Sequence, residues 1–149
     1  MSPTRKTVYL VRHGQAEHNV TGNLTLRDPA LTDLGRRQAR LLDVSPMLSD
    51  VTPELVVASP LTRCLETAEL AFGGERSGTQ PTFIAHPDAQ ETGAHPSDTG
   101  VERAQLEAAG FANTFDLSLC GPRWYEKAAP FDPSRGVVLP AGCAQLKER

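Results

Sequence analysis

The sequence predicts an α/β protein, with short apolar strands alternating with helices and handing polar residues to one edge of a sheet. Three observations carry that expectation. Short runs at Val8–Val11, Leu55–Ala58 and Thr82–Ala85 each stop at polar residues. Between them lie stretches with capping residues and helical apolar spacing. Leu55-Val56-Val57-Ala58 is apolar throughout, as a strand covered on both faces should be. Ligands of such open sheets collect beyond the carboxyl ends of the strands.

A chain of 149 residues forms one domain able to bury a single core. With 39% hydrophobic and 22% charged residues it folds rather than staying disordered. Most of the 12 Gly and 12 Pro lie from Gly73 onward, so the second half should be rich in loops. A formal charge of -3 gives no general attraction to nucleic acid or to an anionic membrane, although a local basic pocket is compatible with it. No stretch reaches the ~18 apolar residues of a membrane span, and the N-terminus is too short in apolar residues for a signal peptide. Cys64, Cys120 and Cys143 are odd in number and lack Cys-x-x-Cys spacing. That argues against a disulfide framework and a structural zinc site, and points to free thiols in the cytoplasm. Two Asn-x-Thr tripeptides, at Asn19 and Asn23, are chance matches in that setting.

The first run, Val8 to Val11, is expected to be a buried strand ending at Arg12-His13-Gly14. Gly14 would let backbone pass close to a ligand. Thr32 is placed to cap a helix, with Asp33 in its first turn. Leu34, Ala39, Leu41 and Leu42 form its partial apolar stripe toward about Leu48, with Pro46 fraying the end. Arg36, Arg37 and Arg40 then face solvent. The second strand, Leu55–Ala58, leads into Ser59-Pro60-Leu61-Thr62-Arg63, with Ser59 expected to cap and Pro60 to open a helix. Leu61, Cys64, Leu65, Ala68 and Phe72 make its apolar face, Cys64 belonging to the core and Arg63 lying off it. A helix start surrounded by Ser59, Thr62 and Arg63 is an anion site on physical grounds. Gly73 to Gln80 reads as a loop, Thr82–Ala85 as the third strand, and Gly93 to Gly100 as a loop with His95 and Asp98. Val101 to Ala109 reads as a helix stopped by Gly110. In the remaining tail Trp124 and Tyr125 pack, and Val137-Val138-Leu139 is a strand fragment cut by Pro140. His18, His86 and His95 read as exposed loop histidines. The chain shows no internal repeat and no second domain.

Three strand ends thus contribute Arg12 and His13, Ser59 and Arg63, and Glu91. Guanidinium pairs suit bidentate recognition of phosphate oxygens. A neutral imidazole between them can attack phosphorus in line and carry the phosphoryl group covalently, while the arginines offset its charge. A glutamic acid can protonate the leaving oxygen and then, as carboxylate, activate water. Strict strand alternation would send Arg12 and His13 to opposite faces, so both reach one ligand only if the backbone turns there.

Arg12-His13-Gly14 with Asn19, Leu31-Thr32-x-x-Gly35, and Ser59-Pro60-Leu61-Thr62-Arg63 resemble the histidine phosphatase superfamily of phosphoglycerate-mutase-like type. Pro87-Asp88-Ala89-Gln90-Glu91 and Asp98-Thr99-Gly100 are similar to its fungal and related phosphatase branch. The resemblance covers about residues 7–125, leaving 126–149 as an atypical tail of the single 1–149 domain. It implies a three-layer α/β/α fold with a mostly parallel central sheet, lacking the last strand–helix portion. It further implies His13 as phosphorylated nucleophile and Arg12 and Arg63 in the phosphate pocket. Asn19 would lie near the phosphate, with Ser59 also phosphate-binding and Glu91 as proton donor. The implied activity is hydrolysis of a small phosphorylated metabolite, with no cofactor, no metal, and no nucleic-acid or membrane partner. Mutase-type phosphoryl transfer, an inactive phosphate-binding or interaction module, and, least favoured, a metalloenzyme using His13 and His18 are the alternatives.

Family members carry a second pocket histidine after a late strand, whereas no histidine follows His95 here. Truncation is the favoured expectation, with substitution by His95 as the other; the loss would raise the barrier by several kcal/mol. In that fold the missing strand pairs beside the first one. Its absence would leave an apolar sheet edge, expected to give marginal stability or self-association rather than a monomer with a cooperative melt.

Overall fold

The computed structural model describes residues 6–48, 50–74 and 80–127. The fold is α/β, with helices packed on a parallel sheet. Helix α1 spans Glu17–Thr21 and α2 spans Asp33–Asp43. Strand β1 (Leu55–Ala58), helix α3 (Thr62–Phe72) and strand β2 (Thr82–Ala85) follow, then α4 (Arg103–Ala108). The strands pair in parallel from Leu55 opposite Thr82 to Ala58 opposite Ala85. A parallel pair needs a long crossover, and α3 supplies it. On the second edge of β2, the Asp116 N–H donates to the Phe83 carbonyl and the Ala85 N–H to that of Asp116, a one-residue extension.

Both strands and α3 therefore form where the local signals put them. The core lies where Val56, Ala58, Phe83 and Ala85 meet Leu61 and Leu65 of α3, closed by Leu106 and the Phe111–Phe115 segment. Phe83 and Phe115 pack edge to face with ring centroids 5.2 Å apart. Trp124 is buried against this core and Tyr125 stacks beneath the Arg27 guanidinium, so both pack as expected. Cys64 sits half-buried against the core, where burial pushes its thiol up to about 11.

Several expectations change. Val8–Val11 joins no strand among the described residues, and Val8 and Leu10 are 80% and 86% exposed. β1 is covered on one face only: Val56 and Ala58 are buried while Leu55 and Val57 are half exposed. An unbroken apolar run records hydrophobicity, not which faces find a partner. Helix α2 stops at Asp43, and only part of its expected stripe faces inward: Ala39 is buried and Leu42 packs against the core, whereas Leu34 and Leu41 are exposed and Gly35 is buried in their place. Small residues let α2 approach α3 and the His13 segment closely. A Cβ on Gly35 would stand 2.0 Å from the Gln15 carbonyl oxygen, and one on Gly14 would stand 2.5 Å from that of Gly35. Gly14 thus serves contact between two backbones. The Thr32 hydroxyl caps α2 as expected, accepting from the Gly35 N–H at 3.1 Å. Arg36 does not simply face solvent, but pairs with Glu66 at 3.0 Å. Residues 75–79 of the Gly73–Gln80 loop and the Val137–Leu139 fragment lie outside the described residues.

The exposed Val8–Val11 stretch leads us to propose that copies of the chain associate through it. Sedimentation velocity over a concentration series is expected to show growing mass for the wild-type chain and a monomer for Leu10→Lys. A wild-type chain that stays monomeric throughout would contradict this.

Candidate active site

His13 follows the apolar run and is half-buried. Its Nδ1 lies 2.7 Å from the Gly14 carbonyl oxygen, and Arg63 Nε lies 3.3 Å from its Nε2. A guanidinium can only donate and a carbonyl can only accept. His13 is therefore a neutral imidazole with its proton on Nδ1 and a lone pair on Nε2. Burial is the main force holding its pKa below the ordinary 6.5, the Gly14 carbonyl opposing it. The Arg63 and Arg12 charges lower it further, and Glu91 works the other way.

Arg63 comes from the first turn of α3 and is 1% exposed. Its Nη1 donates to the Ser97 carbonyl at 2.8 Å, and its Nη2 stands 3.6 Å from Glu91 Oε1, a carboxylate that is 49% exposed. One turn along α3, the Thr67 hydroxyl donates to the Arg63 carbonyl at 2.7 Å and accepts the Gly14 N–H at 3.1 Å. That side chain fixes the His13 backbone to the helix carrying Arg63. Lys127 Nζ donates to the Gly93 and Asp98 carbonyls, bracing the loop that follows Glu91.

The start of α3 is not capped by Ser59. The helix opens at Thr62 after Leu61, which has no side-chain cap. The buried Ser59 hydroxyl instead accepts the Leu61 N–H at 3.4 Å, inside the turn before the helix. The free end of α3 is satisfied from a distance. Asp28 Oδ1 accepts the Thr62 N–H at 3.0 Å and Oδ2 accepts the Thr62 hydroxyl at 2.7 Å. Sequence reasoning passed over Asp28 because its partner is remote in the chain. Its backbone φ of 43° is a conformation that Asp and Asn tolerate better than most residues. Burial raises its pKa, against the pull of the Thr62 hydrogen bonds and of Arg63 and Arg27. Asp28→Ala is expected to cost about 1–2 kcal/mol in chemical denaturation, and Asp28→Asn less, since it keeps an acceptor and suits this φ.

Of the residues singled out, His13, Arg63 and Glu91 are brought together. Arg12 is exposed and reaches His13 through its charge, as alternation of an extended chain implies. Asn19 is exposed, its Oδ1 accepting the Ala16 N–H at 2.9 Å and its Nδ2 standing 3.0 Å from His18 Nε2. His95 is exposed before the 3-10 turn Pro96–Asp98 and makes no described contact with His13. His18 departs from its reading as an exposed spectator. It is half-buried, its ring centroid 6.2 Å from that of His13. Only its position five residues after His13 could have hinted at this. Among the described residues, no three His, Cys, Asp or Glu side chains gather as a metal site, and no helix is long and apolar enough to cross a membrane.

The family model described as histidine phosphatase superfamily (branch 1) matches residues 8–95. A probable phosphatase of Schizosaccharomyces pombe is 44% identical over 69 residues, covering 45% of this chain and 32% of its own. Phosphoglycerate mutase-like protein 1 of Arabidopsis thaliana is 42% identical over 95 residues, covering 54% and 34% respectively. The chain thus spans about a third of the length of these curated relatives. A solved structure named mycobacterial hydrolase 1 aligns with 65% of this chain and 44% of its own, at 29% identity and a TM-score of 0.38.

Proposed function

The chain belongs to the histidine phosphatase superfamily (branch 1), and from that premise we propose that it hydrolyses small phosphomonoesters through a phosphohistidine on His13. The observation that carries this reading is the His13 lone pair at Nε2, facing the buried Arg63 guanidinium. With the proton held on Nδ1 by the Gly14 carbonyl, Nε2 attacks phosphorus as the bond to the leaving oxygen breaks. Glu91 as the acid gives that oxygen its proton. Arg63 redirects the hydrogen bond of its Nε–H from His13 to a phosphoryl oxygen while keeping its proton, and Arg12 adds a second charge from the solvent side. In the second step water attacks phosphorus, the Glu91 carboxylate takes its proton, the N–P bond breaks and the lone pair returns to Nε2. Hydrolysis is preferred to phosphoryl return because Glu91 is half exposed, so water reaches the group that would activate it.

Incubation with an aryl phosphate, with and without chelator, tests this. Chelator-resistant turnover and an acid-labile phosphate on the chain are expected. Turnover lost on chelation would revive a metal mechanism, and phosphate binding without turnover would leave a binding module.

Attack needs His13 neutral. Its depressed pKa therefore places the acidic limb of kcat/KM below pH 6.5, readable from a pH–rate profile. The same shift acts on folding. Below 6.5 the unfolded chain binds the His13 proton more readily than the folded one. This contribution to stability is complete above pH 6.5 and is lost as pH falls from there through the folded pKa. Thermal melts from pH 7.5 to 5 should show it.

A further inference from the structure

The imidazole of His18 is unexplained by the chemistry above. Its Nδ1 is shielded from solvent and has no hydrogen-bond partner. Asn19 decides what that atom is. The Asn19 amide is oriented by the Ala16 N–H, which needs an oxygen and finds Oδ1 at 2.9 Å. Nδ2 is then the atom turned to His18 Nε2 at 3.0 Å, and an amide nitrogen can only donate. Nε2 must be the acceptor, so neutral His18 carries its proton on Nδ1. The unpartnered atom is an N–H, and leaving a buried donor unpaired is costly.

Its surroundings say which acceptor would satisfy it. Burial is the main cause that keeps the ring neutral, Arg63 and the His13 ring add to it, and Asp98 and Glu91 oppose it. A phosphoryl group carried on His13 Nε2 would bring oxygens into the space between two rings whose centroids are 6.2 Å apart. The Arg63–His13 hydrogen bond must open to admit it. We propose that His18 is a second imidazole of the phosphoryl site, held by Asn19 so that Nδ1–H donates to the transferring phosphoryl group. Asn19 is then a positioning residue that acts through His18. This rests on His13 being the phosphate-binding nucleophile.

Nitrogen-15 NMR of the histidine rings of the full chain separates the two ideas, with inorganic phosphate as probe. The wild-type chain should show His18 as the Nδ1–H tautomer, and added phosphate should shift both His13 Nε2 and His18 Nδ1. A shift at His13 alone, or a His18 proton on Nε2, overturns the proposal and leaves the His13 reading standing. No shift at either ring overturns both. For turnover of an aryl phosphate, His18→Ala should lower kcat/KM about 100-fold. His18→Asn, whose amide nitrogen sits near the place of Nδ1, should recover at least about tenfold of that loss. Equal activity of the two variants, at either level, would mean that the Nδ1–H donor has no part in the reaction.

Discussion

His13→Ala is expected to lower turnover of an aryl phosphate by about ten-thousand-fold or more, because it removes the atom that forms the bond to phosphorus. No neighbouring side chain can take over. The lone pair of His18 is engaged at Nε2 by the Asn19 amide, and His95 is exposed and makes no described contact with His13. Binding of inorganic phosphate should survive, since the Arg63 guanidinium is retained and a neutral ring has gone. The acid-labile phosphate should vanish with the activity. Turnover within tenfold of wild type, measured on protein free of contaminating phosphatase, would remove His13 from the mechanism.

Arg63→Ala is the second large effect, and it should register in both rate and stability. The side chain is almost wholly buried, spanning His13, the Ser97 carbonyl and Glu91. Its loss removes the charge next to the transferring phosphoryl group, a fall of about 100- to 1000-fold in kcat/KM. It also leaves the Ser97 carbonyl without its donor and opens a cavity under the site, lowering stability by about 1–3 kcal/mol in chemical denaturation. Arg63→Lys should restore part of the stability and little of the rate. A lysine has one donating nitrogen where the guanidinium uses three to meet separate partners. A lysine variant as active as wild type would show that charge alone suffices.

How legible these features were depended on how local their causes are. β1, β2 and the body of α3 follow from short runs and spacings within one stretch of chain, and each formed where those cues lie. The Thr32 cap was readable because its partner Gly35 is three residues away. Ser59 carried the same kind of signal at the next helix, yet the cap there comes from Asp28, 34 residues before its partner Thr62. The Val8–Val11 run has strand composition, but strand formation also requires a neighbouring strand to pair with. His18 and His95 were equally plain loop histidines in the sequence. Only the path of the chain brings the first to His13 and leaves the second at the surface.

The sequence by itself determined the superfamily, the α/β class and the chemical types available: an imidazole, guanidiniums and a carboxylate. Those are properties of residue identity and spacing. The tertiary structure alone decided which nitrogen of each imidazole bears the proton. That depends on what the ring nitrogens meet, the Gly14 carbonyl at Nδ1 and Arg63 at Nε2 for His13 and the Asn19 amide at Nε2 for His18, and hydrogen bonding is a matter of position in space.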